Sequence, residues 1–404
     1  MGDDYSFLQE KIKDEAGSPK RFKKRVIQMV LLGLIFGVVA CCTFIALKPL
    51  GEKFFGENEQ EVSIPEDEVI EEDETAEPEA VEQNVPVETE EQVQKKMLKS
   101  LQSTAKDVRA GIVSISGQKS LEESKNVKKT TGVILADNGS ELLMLSQTLW
   151  NKEPAETAVT LADGSKHEAA WKMCDYNMGI GLCAVNKEKI TDETWAQIEI
   201  AKLGNSFQTE SGEPGIVMGI SSEDELKISY GFVAVTEEKT EIADGAIELL
   251  RLDAAGAVFK EGILFNQDGQ IIGLVSGAVN GNRTHVISYS ISDIKKELEC
   301  MSNGKGVPYM GIWGVVIPEE LKKEGLDKGI VVHEIDADSP AMKAGIQCGD
   351  VITHIGDSEI ADMKEYRNLL LKYNEKNEVV LTGLRKGADN GYVEMNFKVV
   401  IGRK

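Results

Sequence analysis

The sequence has few of the side chains from which structural zinc sites are built, with six cysteines and four histidines. Of its six cysteines, Cys41 and Cys42 lie in a long apolar run, and the other four show no CxxC spacing. Because structural zinc sites need closely spaced sulfur and nitrogen ligands, the sequence predicts neither a metal site nor a bound cofactor. Cys174 and Cys183 could lie on neighbouring strands and pair in an oxidising compartment, but small buried thiols are the commoner state.

Lysine and arginine are absent from residues 57–94. This stretch holds sixteen Asp and Glu residues and concentrates the net charge of −23. Nucleic acid is therefore not an expected partner, since its phosphates are bound by basic side chains. The stretch also has few aromatic residues and three prolines, so it cannot bury enough apolar surface to fold. We predict a disordered acidic linker over residues 49–96, with a specific ligand role as the alternative.

Charged residues are absent from residues 26–47, which are long enough to span a hydrocarbon core of roughly 30 Å as a helix. Five of the six residues at 20–25 are Lys or Arg, so the positive-inside bias keeps the N-terminus in the cytoplasm. We predict a cytoplasmic segment at residues 1–25, a single-pass cell-membrane helix at 26–48 and an extracytoplasmic body. A cleaved signal or a lipoprotein-type Cys41 are alternatives, but the apolar run is too long for a signal core.

Beyond the linker, the sequence changes to short apolar runs separated by turn residues. A helix is expected near residues 92–109, and runs such as 131–135, 142–145 and 271–275 are dense in Val, Ile, Leu and Thr. Asp-Gly turns recur between such runs. Many short strands with these turns are typical of all-β barrels and sandwiches, so we predict a mainly β fold.

The last hundred residues are patterned differently. Strands predicted at 330–335 and 351–355 alternate with helical stretches at 340–344 and 362–373, and a closing hairpin follows. Asn303-Gly304-Lys305-Gly306 is the predicted hinge before them, because glycine-rich turns interrupt regular structure. The pattern predicts a compact mixed domain.

Two sets of motifs carry a resemblance to a known family. They are Gly329-Ile-Val-Val, Asp338-Ser-Pro-Ala-Met-Lys-Ala-Gly-Ile and Gly349-Asp-Val-Ile near the C-terminus, and Thr131-Gly-Val-Ile and Gly269-Gln-Ile-Ile-Gly-Leu before them. Over residues 100–404 the chain resembles the bacterial HtrA/Deg-type serine proteases. The resemblance implies a trypsin-like double β-barrel over residues 97–300 and a PDZ domain over residues 301–404.

The positions that carry catalysis in that family hold other residues here. The place of the histidine falls on Leu149, the place of the aspartate on Gly179, and the place of the serine on Lys260 or Glu261 in a segment one residue shorter. A serine protease needs a hydroxyl, a base and an acid that orients the base. We therefore predict no catalytic residues and a pseudoprotease.

Other side chains do not replace the missing set. No serine occurs between Ser229 and Ser276, which leaves Lys260 without a partner for a Ser-Lys dyad. His167 could approach Asp175, but an exposed histidine on a strand is commoner than a displaced base. The remaining histidines have no serine in a glycine-rich turn nearby: His285, His333 and His354.

The resemblance also implies a peptide-binding site. Tyr309-Met310-Gly311-Ile312 occupies the place of the carboxylate-binding loop, whose backbone N–H groups would hold a terminal carboxylate while the next strand pairs with the peptide. The side-chain pocket would be shaped by the following helix through Tyr366, Leu369 and Leu370. The alternative is that these apolar residues only form the core.

The function predicted from these features is that of a membrane-anchored, extracytoplasmic HtrA-like protein. It would bind peptide C-termini or unfolded proteins through the PDZ domain in envelope protein quality control. The alternatives are an active serine endopeptidase with a rearranged site and a purely structural scaffold. The resemblance further implies a homotrimer, or an assembly with an active HtrA-type protease.

Overall fold

The computed structural model describes residues 60–67, 89–118, 128–147, 156–221, 225–254, 259–277, 285–389 and 391–403. The predicted membrane helix and most of the predicted linker lie outside these ranges. Within them, no helix is both long and apolar enough to cross a bilayer.

The first unit is a closed, six-stranded antiparallel barrel. Helix α1 (Glu90–Val108) leads into it, and its strands are β1 (Ile112–Gln118), β2 (Lys128–Asp137), β3 (Glu141–Gln147), β4 (Glu156–Thr160), β5 (Lys166–Asp175) and β6 (Ile180–Asn186). The strands neighbour one another in the order β1-β2-β3-β6-β5-β4, and β4 pairs back with β1. On β3, Met144 packs in the barrel interior and Leu145 in a cluster shared with the second unit, so this strand is buried on both faces.

The second unit is a barrel of the same kind. After the short helix α2 (Asp192–Trp195) and β7 (Lys202–Leu203), its strands are β8 (Pro214–Ile220), β9 (Leu226–Ile242), β10 (Gly245–Asp253), β11 (Gly262–Asn266), β12 (Gln270–Val275) and β13 (Val286–Ser290). Six of them follow the order β11-β8-β9-β10-β13-β12, and pairing of β11 with β12 closes the ring. Helix α3 (Ile291–Ser302) then runs out of this barrel with Ile291, Ile294 and Leu298 in the core.

The third unit is a small sheet with short helices. Its elements are β14 (Pro308–Tyr309), β15 (Ile312–Val316), α4 (Glu319–Lys322), β16 (Ile330–Ile335), α5 (Pro340–Lys343), β17 (Val351–Ile355), β18 (Ser358–Glu359), α6 (Met363–Leu370), β19 (Glu378–Lys386), β20 (Tyr392–Val400) and β21 (Gly402–Arg403). The main sheet has the order β15-β16-β17-β19-β20, and α6 packs its buried side over β15 and β17. The Asp362 side chain caps α6 by accepting a hydrogen bond from the Glu365 N–H.

The predicted mainly β class is confirmed, and β16 and β17 have the predicted bounds. Helix α3 was not predicted, because its apolar residues are separated by charged ones that the fold nevertheless buries. Lys295 is 5% exposed and Glu297 is 0% exposed. Charged residues of this kind are normally taken as surface positions.

A short part of the predicted disordered linker packs against the folded body. Val62 exchanges two hydrogen bonds with the Asn303 side chain, at 2.8 and 2.7 Å. Ile64 is 8% exposed in the shared core, and Asp67 pairs with Lys295 at 2.7 Å. Residues 60–67 therefore have partners for one aliphatic side chain and one carboxylate, which the average composition of the segment does not reveal.

Among the described residues, Cys174, Cys183, Cys300 and Cys348 form no disulfide. Cys174 and Cys183 do lie on the neighbouring strands β5 and β6, but they face different partners, Gly181 and Trp171. Burial is the main cause that raises the pKa of the Cys183 thiol, which stays protonated. In the parts of the chain that the structure describes, no cluster of His, Cys, Asp and Glu could hold a metal ion.

Candidate functional site in the carboxylate-binding loop

The loop between β14 and β15 has the geometry of an anion cradle. Gly311 in this loop has φ 81°, a left-handed conformation that turns successive backbone N–H groups toward one side. No side chain fits at this position, because a Cβ atom there would lie 2.5 Å from the Cβ of Ser339 and 2.7 Å from the Tyr309 hydroxyl. The N–H groups of Met310, Gly311 and Ile312 consequently converge on one point.

The group held at that point is the side-chain carboxylate of Asp244, from the turn between β9 and β10. Met310 and Gly311 each donate a backbone hydrogen bond to its Oδ2 at 2.8 Å, and Ile312 donates to its Oδ1 at 3.0 Å. Asp244 is only 3% exposed. Because hydrogen bonds to an ionised acceptor are about twice as strong as neutral ones, the loop is well suited to a carboxylate.

Two further contacts complete the binding of Asp244. Its backbone N–H donates to the Ile312 carbonyl at 2.7 Å, and the Tyr366 hydroxyl donates to its Oδ1 at 3.0 Å. Burial and then the Asp244 carboxylate raise the pKa of Tyr366 well above its usual value, so this hydroxyl keeps its proton and donates. The φ of Asp244 is 64°, a conformation that Asp tolerates better than most residues.

The structure brings the sequence-predicted peptide-binding residues to one place. Tyr309 points its hydroxyl at Asp336 Oδ2, 2.6 Å away, and so supports the loop from the side. Tyr366 and Leu370 are buried on α6, while Leu369 is half-buried beside them. Their part in ligand binding stays a prediction.

The β9–β10 turn reaches the loop by entering the groove between β15 and α6. At the base of this contact the Arg367 side chain, 7% exposed, pairs with Glu297 of α3, which is 0% exposed. Gly245 allows the close approach, because a Cβ there would lie 2.8 Å from Cδ of Arg367. At the rim, Lys364 pairs with Glu248 at 3.3 Å and His333 lies 3.0 Å from Glu241. The groove is thus filled by the second barrel of the same chain.

Comparison with known proteins connects this site to a family. A protein-family model of the PDZ domain matches residues 308–392. The chain is 25% identical over 289 residues to the serine protease Do-like HtrA of Lactococcus lactis, an alignment that covers 64% of this chain and 68% of that protein. It is 24% identical over 315 residues to the serine protease Do-like HtrA of Bacillus subtilis, which covers 72% of this chain and 68% of the relative.

A solved structure supports the same assignment at the level of the fold. The HtrA-type protease AlgW, determined with a decapeptide, superimposes with a TM-score of 0.53 and 16% identity, covering 75% of this chain and 98% of AlgW. The fold is HtrA-like. Its two barrels form a trypsin-like unit, and the third unit, with the loop that holds Asp244, is a PDZ domain.

The two barrels hold three of the residues that stand at the predicted catalytic positions. Leu149 lies outside the described residues. Gly179 has φ 66° in the turn before β6. Lys260 is exposed, and Glu261 accepts a hydrogen bond from the Thr130 hydroxyl at 2.7 Å. Burial is the main cause that raises the pKa of Glu261. The assignment of these residues to catalytic places stays a prediction.

Gln147, at the end of β3, joins the two barrels. Its Nε2 donates to the Val275 carbonyl, and its Oε1 accepts from the Gly277 N–H at 3.4 Å. Both partners follow the segment that matches the HtrA nucleophile region. Gln147 is 5% exposed, so it is buried at this contact.

One serine–histidine pair was not predicted. The Ser165 hydroxyl lies 3.0 Å from Nε2 of His167, in the turn between β4 and β5, and His167 does not meet Asp175. However, Ser165 donates its single hydroxyl hydrogen to Asp163 at 2.7 Å, and hydrogen bonds from Ser165 lower the pKa of Asp163. In a nucleophilic pair the hydroxyl must donate to the imidazole. The pair therefore stabilises a turn.

Asp244 is the functional residue that sequence reasoning missed. The local signal was present, since Asp244-Gly245 is a turn dipeptide between two β-rich runs. An Asp-Gly pair indicates a hairpin, but it does not indicate where the tip of that hairpin docks.

Proposed function

We propose that this protein binds the C-terminal carboxylate of peptides or unfolded proteins in its PDZ domain. The observation that carries the proposal is the hydrogen bonding of three consecutive backbone N–H groups, at Met310, Gly311 and Ile312, to a carboxylate. A peptide terminus presents the same group, and the edge of β15 can pair with the residues before it. The peptide bound to the HtrA-type structure described above is consistent with this ligand class.

The proposal includes the absence of serine-protease catalysis. It is supported by the residues at the catalytic places, which are Leu149, Gly179 and Lys260 or Glu261. The Glu261 carboxyl, which accepts a hydrogen bond from Thr130, is not a nucleophile for peptide bonds in this mechanism.

Anchoring and assembly are parts of the same proposal. The uncharged run at 26–47 and the basic residues at 20–25 support a cell-membrane anchor with an extracytoplasmic body. A homotrimer, or an assembly with an active HtrA-type protease, follows from the family resemblance alone. In that setting the protein would take part in envelope protein quality control.

Peptide retention by the immobilised full-length protein tests the ligand class. The probes are a pool of random decapeptides with free C-terminal carboxylates and the same pool with C-terminal amides. We expect retention from the free-carboxylate pool only, measured by mass spectrometry. Equal retention of both pools would refute carboxylate recognition. Retention of neither pool, by the wild type and by the variant Asp244→Gly, would also refute it.

The competing function is that of a protease with a rearranged site. The Ser165–His167 contact is the observation that favours it. We expect no covalent labelling by a fluorophosphonate probe and no cleavage of unfolded casein. Labelling that disappears in Ser165→Ala would establish the protease instead, whereas cleavage that persists in that variant points to a contaminant.

A further inference from the structure

We propose that Asp244 is an internal ligand that keeps the PDZ site closed until a peptide C-terminus displaces it. This inference rests on the proposed function, because it names how the same carboxylate-binding site is regulated. The displacing ligand would be an extended peptide with a free terminal carboxylate.

The contacts of Asp244 reproduce what a peptide terminus would make. Its carboxylate accepts from the three loop N–H groups, and its own backbone N–H donates to the Ile312 carbonyl at 2.7 Å. The second contact is the first backbone hydrogen bond that a peptide forms when it adds as a strand to an exposed sheet edge. One residue therefore supplies both the carboxylate and the strand-type hydrogen bond.

Asp244 and a peptide cannot occupy the site together. The loop offers one set of N–H donors, and both Asp244 oxygens are engaged with it. Ile242 and Ala243, which precede Asp244, are 6% and 3% exposed, so the adjoining part of the groove is filled as well. A peptide must compete for the loop, and its apparent affinity falls in proportion to the fraction of molecules in which the site is open.

Ion pairs around the turn link its release to the contact between the PDZ domain and the barrel. Arg367 and Lys364 lie on α6, which forms one wall of the groove, and their acidic partners Glu297 and Glu248 belong to the barrel side. The turn sits between these elements. Displacement of Asp244 by a peptide would therefore weaken the docking of the two parts and convert peptide binding into a change in domain arrangement.

Asp244→Gly in the full-length protein tests this regulation. Glycine removes the carboxylate and accepts the left-handed φ of 64°, so the turn is not strained. Asp244→Asn is the second variant, since it keeps the size and removes the charge. The matched control is Glu238→Gln, which removes an exposed carboxylate from β9 of the same hairpin.

Two measurements are made on each variant. The first is amide hydrogen exchange at residues 310–312, which needs no ligand. The second is the affinity for individual decapeptides chosen from those that Asp244→Gly retains from the free-carboxylate pool. We expect exchange at 310–312 to accelerate and the apparent Kd to fall by about tenfold or more in Asp244→Gly, with neither change in Glu238→Gln.

The outcomes separate the internal ligand from the proposed function. Unchanged exchange at 310–312 in both Asp244 variants would overturn the internal ligand. Faster exchange with peptide affinity equal to that of the wild type would also overturn it as a gate, while peptide binding itself would stand. Faster exchange with no peptide retained by any variant would support occupation of the loop by Asp244 and refute the proposed ligand class.

Discussion

The two barrels and the groove of the PDZ domain differ in the predictions that the sequence makes for them. In the barrels, Gly179 and Lys260 or Glu261 stand at the predicted catalytic places, and Gln147 of the first barrel donates to the Val275 carbonyl of the second. In the groove the three N–H donors are present and engaged. Catalysis depends on a few side chains that single substitutions remove, whereas the cradle is made of backbone that persists as long as the loop folds.

The largest expected effect concerns the buried ion pair between α6 of the PDZ domain and α3. Arg367→Ala would leave Glu297 buried without its cationic partner, which costs about 3–5 kcal/mol of unfolding free energy. Urea titration of the full-length protein measures this loss. The double variant Arg367→Met/Glu297→Leu should recover most of it, because no charge then remains buried. A loss below about 1 kcal/mol in the single variant would mean that the pair is solvated.

The next effect tests the backbone cradle itself. Gly311→Ala places a Cβ against Ser339 and imposes a left-handed φ on alanine, so we expect about 2–3 kcal/mol of destabilisation and loss of the Asp244 contact. Gly345→Ala is the matched control, since Gly345 has φ 84° in the same domain and open space around its Cβ position. It should cost about 1 kcal/mol. Equal effects of the two variants would contradict a tight loop.

A smaller effect concerns the fourth donor to Asp244. Tyr366→Phe removes one hydroxyl hydrogen bond and leaves the three N–H donors, so the stability should fall by about 1 kcal/mol. Amide exchange at 310–312 should accelerate slightly, and less than in Asp244→Gly. An effect as large as that of Asp244→Gly would show that the hydroxyl, not the backbone, holds the carboxylate.

The smallest effect lies in the barrel cleft and depends on pH. Because burial raises the folded-state pKa of Glu261 above its unfolded value, its contribution to stability is present at low pH and is lost as the pH rises through the folded pKa. Glu261→Gln should therefore be more stable than the wild type at pH 8, with the difference vanishing toward pH 4. Urea titrations at both pH values measure this. A destabilised variant at pH 8 would contradict the burial penalty.

Much of the fold could be predicted because its signals are local. The strands β16 and β17 have the predicted bounds, since turn residues delimit each apolar run. The loop at Tyr309–Ile312 was placed by the resemblance to the HtrA/Deg-type family, and its glycine at 311 has the left-handed φ that the turn needs. Helix α3 and the packing of Ile64 were not, since both depend on burial against distant strands.

The sequence by itself determined which atoms are available. It sets the residues at the catalytic places and provides a glycine where the loop needs a left-handed backbone. Only the tertiary structure decided that the carboxylate of Asp244 occupies that loop. Asp244 and Met310 are sixty-six positions apart and are joined by the docking of a hairpin into a groove. Shape, buried charge and strand-edge pairing together determine such a contact. The sequence around Asp244 alone does not reveal any of them, because each depends on residues that are distant in the chain.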